Sequence, residues 1–255
     1  MPNLKLGPRL IPKTSLGFTL VEMAVVLIIV TVLMGGLAVG LGSQYDARAQ
    51  AQTQQTLVDI REAMLGFAAA KGRLPCPAAA PTTGGSELPD GGSTLGTTAC
   101  TNVLNGYVPG TTLGLTPVDK YGYVLDGWNQ PIRYAVTRAN TGSNANAFTS
   151  VSGMKTVTLS NLSPDIYVCA SSSGITTTGC GTAVTVASKV AAVIYSIGKK
   201  GAGSGADEVQ NRSGNVVFVS HDPSDPNGSN EFDDIVTWIS PYTLYSRMIS
   251  AGQLP

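Results

Sequence analysis

Apolar residues follow three successive patterns along the chain. Between Met23 and Leu41 there is no charge and almost no polar group, and extending this run back to Phe18 adds only Thr19 and Glu22 as interruptions. As a helix at about 1.5 Å per residue it would be roughly 36 Å long, enough to cross a bilayer core of about 30 Å. Over residues 44–71 the pattern becomes amphipathic. Leu57, Ile60, Met64 and Phe67 recur at helical spacing, extended more weakly by Ala51 and Ala68, until Gly72 and Pro75 end it. Beyond residue 75 the helical period is lost. Residues 76–118 are rich in Pro, Gly, Thr and Ala, and short β-prone runs follow at Pro131–Thr137, Lys155–Ser160, Asp165–Ala170, Thr185–Ile197 (its second half above all), Val216–Ser220 and Ile235–Ile239. Residues 241–250, with Pro241 at the first turn, predict a short terminal helix. The expected class is α+β: a long N-terminal helix, half membrane-type and half amphipathic, packed on an antiparallel β-sheet head.

Charge adds a direction. Sixteen basic and sixteen acidic residues balance over 255, yet Lys5, Arg9 and Lys13 precede the apolar run without an acid among them. Only Asp46 and Arg48 follow it closely, so the N-terminus is expected in the cytoplasm and the chain after about residue 45 outside. Zero net charge argues against a broad nucleic-acid binder, and a single His rules out two-histidine zinc chemistry. Glu22 is the anomaly, because a carboxylate deep in a membrane costs on the order of 3 kcal/mol. It either snorkels to the surface or meets a cation, and a free α-amine would supply one if the chain were cut before Phe18. An ordinary signal peptide cut near Ala49, after Ala47-Arg48-Ala49, is the competing reading. It fits less well, because the apolar run exceeds the roughly 7–15 residues of such signals and contains an acid.

Gly17-Phe18-Thr19-Leu20-Val21-Glu22, with a basic leader before it and an apolar run after it, resembles the processing signal of type IV prepilins and pseudopilins. The resemblance implies a leader over residues 1–17, a transmembrane and assembly helix over 18–42, an amphipathic half over 43–74 and an extracytoplasmic head over 75–255. It implies cleavage at Gly17–Phe18 by a prepilin peptidase, which also methylates Phe18, and pairing of Glu22 with the amino group of a neighbouring subunit. The partners implied are other pilin or pseudopilin subunits and an inner-membrane assembly platform. The end state is a periplasmic or surface filament, a type IV pilus or a type II secretion pseudopilus. A carboxylate and an amine that are both desolvated recover that penalty only when they meet, so the pair would fix subunit register. Asp126-Gly127-Trp128-Asn129-Gln130-Pro131 followed by Tyr134, Ile194-Tyr195-Ser196-Ile197-Gly198, and Asp234-Ile235-Val236-Thr237-Trp238 resemble segments of type II secretion major pseudopilins. Extra sequence over about 76–118 and 138–190 points to a minor subunit. A DNA-uptake or adhesive minor pilin is the alternative within this family, although only scattered lysines such as Lys189, Lys199 and Lys200 favour nucleic acid.

Cys76, Cys100, Cys169 and Cys180 all follow the membrane segment, on the oxidising side, and an even count there favours two disulfides. Of three pairings, Cys76–Cys100 with Cys169–Cys180 closes the most local loops. Residues 221–234 contain Asp222, Asp225, Glu231, Asp233 and Asp234 without a basic residue. Such a loop offers hard oxygen ligands for Ca²⁺ or forms a solvated acidic turn, and the resemblance to major pseudopilins implies a Ca²⁺ loop here. No cofactor is otherwise required. His221 reads as an exposed turn residue and Gly198–Gly205 as a flexible hairpin loop. Gly35, Gly36, Gly40 and Gly42 weaken the helix locally or allow close helix packing. No nucleophile, phosphate-loop or metalloprotease motif occurs, so no catalytic residue is assigned and no enzymatic activity is expected.

Overall fold

A computed structural model describes residues 17–79, 84–138, 140, 142–224 and 230–255, leaving out the side chains of 35–43. The leader before Gly17 and the four glycines at 35, 36, 40 and 42, as side-chain packing sites, therefore lie outside the described residues. The long helix α1 is Leu20–Lys71. The chain divides into two compact units, Met1–Tyr45 and Asp46–Pro255.

In the first unit α1 starts from a reciprocal cap. Glu22 Oε2 accepts the Thr19 backbone N–H at 2.8 Å and the Thr19 hydroxyl at 2.9 Å, and Thr19 Oγ1 accepts the Glu22 N–H at 3.3 Å. This Thr-x-x-Glu arrangement satisfies donors that a helix start leaves unpaired. The Thr31 hydroxyl returns its proton to the Ile28 carbonyl, so it adds no unmet donor to the apolar run. From Leu20 to Met34 every side chain is exposed.

The second unit has three layers. The α1 face made by Ala49, Thr53, Leu57, Ile60, Met64, Leu65 and Ala68 is buried. The expected stripe holds at Leu57, Ile60, Met64 and Ala68, whereas Ala51 is exposed and Phe67 half-buried, its ring lying under the Arg73 guanidinium at 5.1 Å. Gly72, at φ +73°, ends the helix by donating its N–H to the Ala68 carbonyl. Against this face lies an antiparallel sheet of β1 (Gly106–Tyr107), β2 (Arg133–Val136), β5 (Ala192–Ser196) and β7 (Ile235–Ile239), in the order β1-β2-β5-β7. Tyr134, Val136, Ala192, Ile194 and Ile239 share a core with Leu57, Ile60, Met64 and Ala68. Helix α5 (Pro241–Ser250) adds Leu244 and Met248 to it. β7 and α5 fall where the sequence placed them. Three short helices, α2 (Gly110–Leu113), α3 (Gly153–Val157) and α4 (Ala206–Asn211), sit in the connections.

The third layer was not foreseen. β4 (Thr185–Val190), β3 (Ile166–Cys169) and β6 (Val217–Val219) form a second sheet in the order β4-β3-β6, with β3 and β6 parallel. Its Ile166, Val168, Val190 and Phe218 meet Ala135, Val193 and Tyr195 from the back of the first sheet. β5 is thus buried on both faces, which explains why it reads as a continuous apolar run rather than an alternating one. The Thr185–Ile197 run is two strands in two sheets, hinged at Ala191. That residue donates its N–H to Ile239 and accepts the Thr137 N–H. Lys155–Ser160, expected as a strand, is instead the end of α3 followed by a 3₁₀ turn at Leu159–Asn161. Met154 and Val157 are buried at a spacing of three, and Thr158 turns the chain at φ +69°.

The loops over 76–118 are held by covalent and ionic ties. Cys76 pairs with Cys100, as Cys169 does with Cys180. Arg73 and Glu87 form a buried two-pronged ion pair at 2.7 and 2.6 Å, and Glu87 also accepts the Cys76 N–H at 3.0 Å. Arg73→Met should cost about 3–5 kcal/mol by leaving the Glu87 charge buried and unpaired; a denaturant titration of the purified chain in detergent measures it.

α1 and the Asp126 turn meet at a close backbone approach. The Gly127 N–H donates to Thr53 Oγ1 at 2.9 Å, and the Thr53 hydroxyl donates to the Ala49 carbonyl at 2.8 Å. A Cβ on Gly127 would lie 2.2 Å from the Ala49 carbonyl oxygen. Gly127→Ala should therefore loosen the helix from the sheet and lower stability by about 2–4 kcal/mol, read in the same titration.

Candidate functional site

Gly17 and Phe18 sit in open backbone just before α1, and Phe18 is 79% exposed. Glu22 follows on the first turn, its carboxylate occupied within the chain by Thr19. The sequence carried this cap as Thr19-x-x-Glu22, but the acid stood out as a membrane charge and its local role was missed. Among the described residues no helix is long and apolar enough to cross a membrane. The described apolar side chains of this stretch end at Met34, and the remainder of the expected 18–42 span lies outside them.

The three segments that carried the head resemblance come together. Asp126, 3% exposed, accepts the N–H groups of Trp128 and Gln130 through Oδ1 at 2.9 and 2.8 Å. Its Oδ2 accepts the Ser196 hydroxyl at 2.5 Å, and Ser196 Oγ accepts the Gly198 N–H at 3.0 Å. β7, which holds the third segment, pairs with β5 from Ala192↔Ile239 to Ser196↔Ile235. The Asp126 turn is thereby clasped to the end of β5, with Gly127 delivered to α1.

Beyond this clasp three carboxylates converge. Glu208 on α4, Asp233 and Asp234 each place an oxygen within 4.8 Å of the others. Each has one oxygen engaged. Glu208 Oε1 accepts the Asp233 N–H at 3.0 Å, Asp233 Oδ2 accepts the Lys200 N–H at 3.0 Å, and Asp234 Oδ2 accepts Asn211 Nδ2 at 2.7 Å. The other three oxygens, Glu208 Oε2, Asp233 Oδ1 and Asp234 Oδ1, are buried without a hydrogen-bond partner. Gly198 and Gly203 admit two of them: a Cβ on Gly198 would lie 2.2 Å from Asp233 Oδ1, and one on Gly203 would overlap Glu208 Oε2. The segment Gly198–Gly205, expected as a flexible hairpin loop, is shaped around this cluster. Burial, reinforced by the neighbouring carboxylates, pushes both Glu208 and Asp234 up to about 7. Three carboxylates this close together, each with one orphaned oxygen, form a hard-oxygen donor set that fits a cation of the Ca²⁺ class.

Of the acids expected to hold a metal, Asp233 and Asp234 join this cluster. Glu231 instead forms an ion pair with Lys200, and Asp222 lies exposed, its carbonyl facing His221 Nδ1 at 2.7 Å. Asp225 lies outside the described residues. Glu208 was missed because it lies well upstream, on the first turn of a short helix that hydrophobic periodicity does not mark. His221 is not a free turn residue. Its ring stacks on Phe232 at 4.0 Å, and its Nε2 lies 3.1 Å from Asp207 Oδ2.

Residues 12–38 match the family described as the prokaryotic N-terminal methylation motif. The match spans the Gly17–Glu22 segment and the apolar run after it, and supports the resemblance to type IV pilins and pseudopilins. No significant match was found among curated proteins or among solved structures.

A carboxyl raised in the folded state takes up a proton that the unfolded chain releases at about pH 4, so its stabilising contribution is full below that pH and is lost as pH rises to about 7. In chelator, Asp234→Asn should therefore gain on the parent chain as pH rises from about 5 to 8, by several degrees in Tm. Thermal melts across that window measure the difference.

Proposed function

We propose that this chain is a non-enzymatic subunit of a type IV-type filament, of the type II secretion pseudopilus kind and present as a minor component. The observation that carries the family reading is the methylation motif at residues 12–38, set at the head of an apolar helix with exposed side chains from Leu20 to Met34. The pseudopilus side of the reading is supported by the Asp126–Ser196 clasp, which joins two of the segments resembling that branch. The precursor enters the inner membrane once, with Lys5, Arg9 and Lys13 in the cytoplasm. A prepilin peptidase cuts Gly17–Phe18 and methylates Phe18, the assembly platform extracts the subunit, and helix-on-helix packing builds an open polymer.

Glu22 then has two successive roles. In the isolated subunit Thr19 occupies its carboxylate. In the filament the carboxylate faces the new amino group of a neighbour, whose charge makes a stronger partner than a neutral hydroxyl. Glu22→Gln separates the two roles, because glutamine also serves in such caps. The variant should insert and be processed normally yet enter filaments poorly, scored by quantifying it in sheared filament fractions. Mass spectrometry of the mature protein should find methylated Phe18 at the N-terminus; a mature chain starting near Gln50 would overturn the family mechanism for this protein.

The acidic cluster completes the reading as a Ca²⁺ site of the head, with Glu208, Asp233 and Asp234 as its side-chain ligands. Ca²⁺ would screen three carboxylates that otherwise repel, and so fasten α4 to the start of β7. Ca²⁺ at about 100 times its Kd should then stabilise the fold by about 2.7 kcal/mol. That appears as a Tm increase reversed by chelator and lost in Glu208→Gln.

A further inference from the structure

The second sheet carries a cleft with no part in the processing, assembly or cation-binding roles. By strand alternation Ile166 and Val168 face the interior while Tyr167 faces out. The loop closed by Cys169–Cys180 folds back over this outer face, so that a Cβ on Gly179 would lie 3.9 Å from the edge of the Tyr167 ring. Between this loop and the chain leaving β2 lies a cavity of about 440 Å³. Tyr167, Arg138, Lys189, Asp165, Ser163 and Thr178 are among the residues lining it.

The strand that supplies Lys189 is distorted at that residue. Register runs from Ile166↔Val190 to Val168↔Ala187, two steps on β3 against three on β4, which is a β-bulge. Lys189 sits within it at φ +51°, in the left-handed region that a lysine occupies at a cost of about 1 kcal/mol. Bulges re-aim side chains, and this one brings a lysine to the cleft. Arg138 is the second cation there. Neither has an ion-pair or hydrogen-bond partner among the described residues. Asp165 is partly engaged, accepting the Thr137 hydroxyl at 2.6 Å.

Two cations at one cleft, unpaired among the described residues, suit an anion. An anion alone would not use an aromatic ring, the hydroxyls of Ser163 and Thr178, or a volume within the roughly 300–1,000 Å³ of small-ligand pockets. A sugar ring uses all of these: its polarised C–H groups suit the negative face of tyrosine, and its hydroxyls meet the polar walls. Nucleic acid fits less well, since two cations beside an aspartate on a chain of zero net charge make no continuous phosphate track. We propose that this cleft binds an acidic saccharide, a pyranose bearing a carboxylate or sulfate, with Tyr167 under the ring and Lys189 and Arg138 on the anionic group.

The test is saturation-transfer NMR on the full-length protein in detergent, with glucuronic acid, galactose 6-sulfate, glucose and a short DNA duplex as probes. Transfer to one or both acidic sugars and none to glucose is expected; which of the two responds separates the carboxylate from the sulfate source. Lys189→Gly is the decisive variant. Glycine relieves the positive φ, so its Tm should equal or exceed that of the parent chain, while affinity for the acidic sugar falls on the order of tenfold. Tyr167→Ala should abolish transfer and Tyr167→Phe retain it. No transfer to either acidic sugar at roughly 10 mM would overturn the proposal. So would equal transfer to glucose, binding unaltered in Lys189→Gly, or binding of the duplex alone.

Discussion

The structure depends on the contrast between the two parts of α1. Over Ala49–Ala68 one face of the helix is buried under a β-sheet, and over Leu20–Met34 the apolar side chains are uncovered. Burial of apolar area holds the first part, at about 25 cal/mol per Å². Among the described residues the second part is left uncovered. Uncovered apolar side chains favour an apolar environment over water.

Close approach, rather than bulk, fixes how the covered part sits. Gly127 brings main chain against main chain at Ala49, and Thr53 satisfies both backbones at the contact. Asp126 ties the same turn to Ser196 at the end of β5. Beyond Ser196, Gly198 opens the space into which Asp233 Oδ1 points. Helix, turn, strand end and acidic cluster thus form one chain of short-range contacts, with glycine at each place where a side chain would block it.

Strong local patterns were legible in the sequence. The terminal helix announced itself by Pro241 at its first turn, and β7 by a compact apolar run; the two disulfides joined cysteines nearest in the chain. Features made by distant residues were not legible. Thr53 hides a buried helix position behind a hydroxyl, while Phe67 advertises one that Arg73 covers instead. The second sheet escaped notice because β4 is largely exposed and β3 pairs in parallel with a strand far along the chain. Glu208 meets Asp233 and Asp234 only through tertiary folding, and no spacing rule joins an acid on a short helix to a pair beyond a loop.

Ala191 is a single residue between two sheets, bonded on one side to β7 and on the other to the chain after β2. The exposed loops and strand positions on the far side of that corner can change while the buried residues that back β5 and the strands that cover α1 keep their partners. The second unit is in effect a fixed chassis with an adaptable faceplate, so its outer surface can vary without disturbing how the first sheet grips α1.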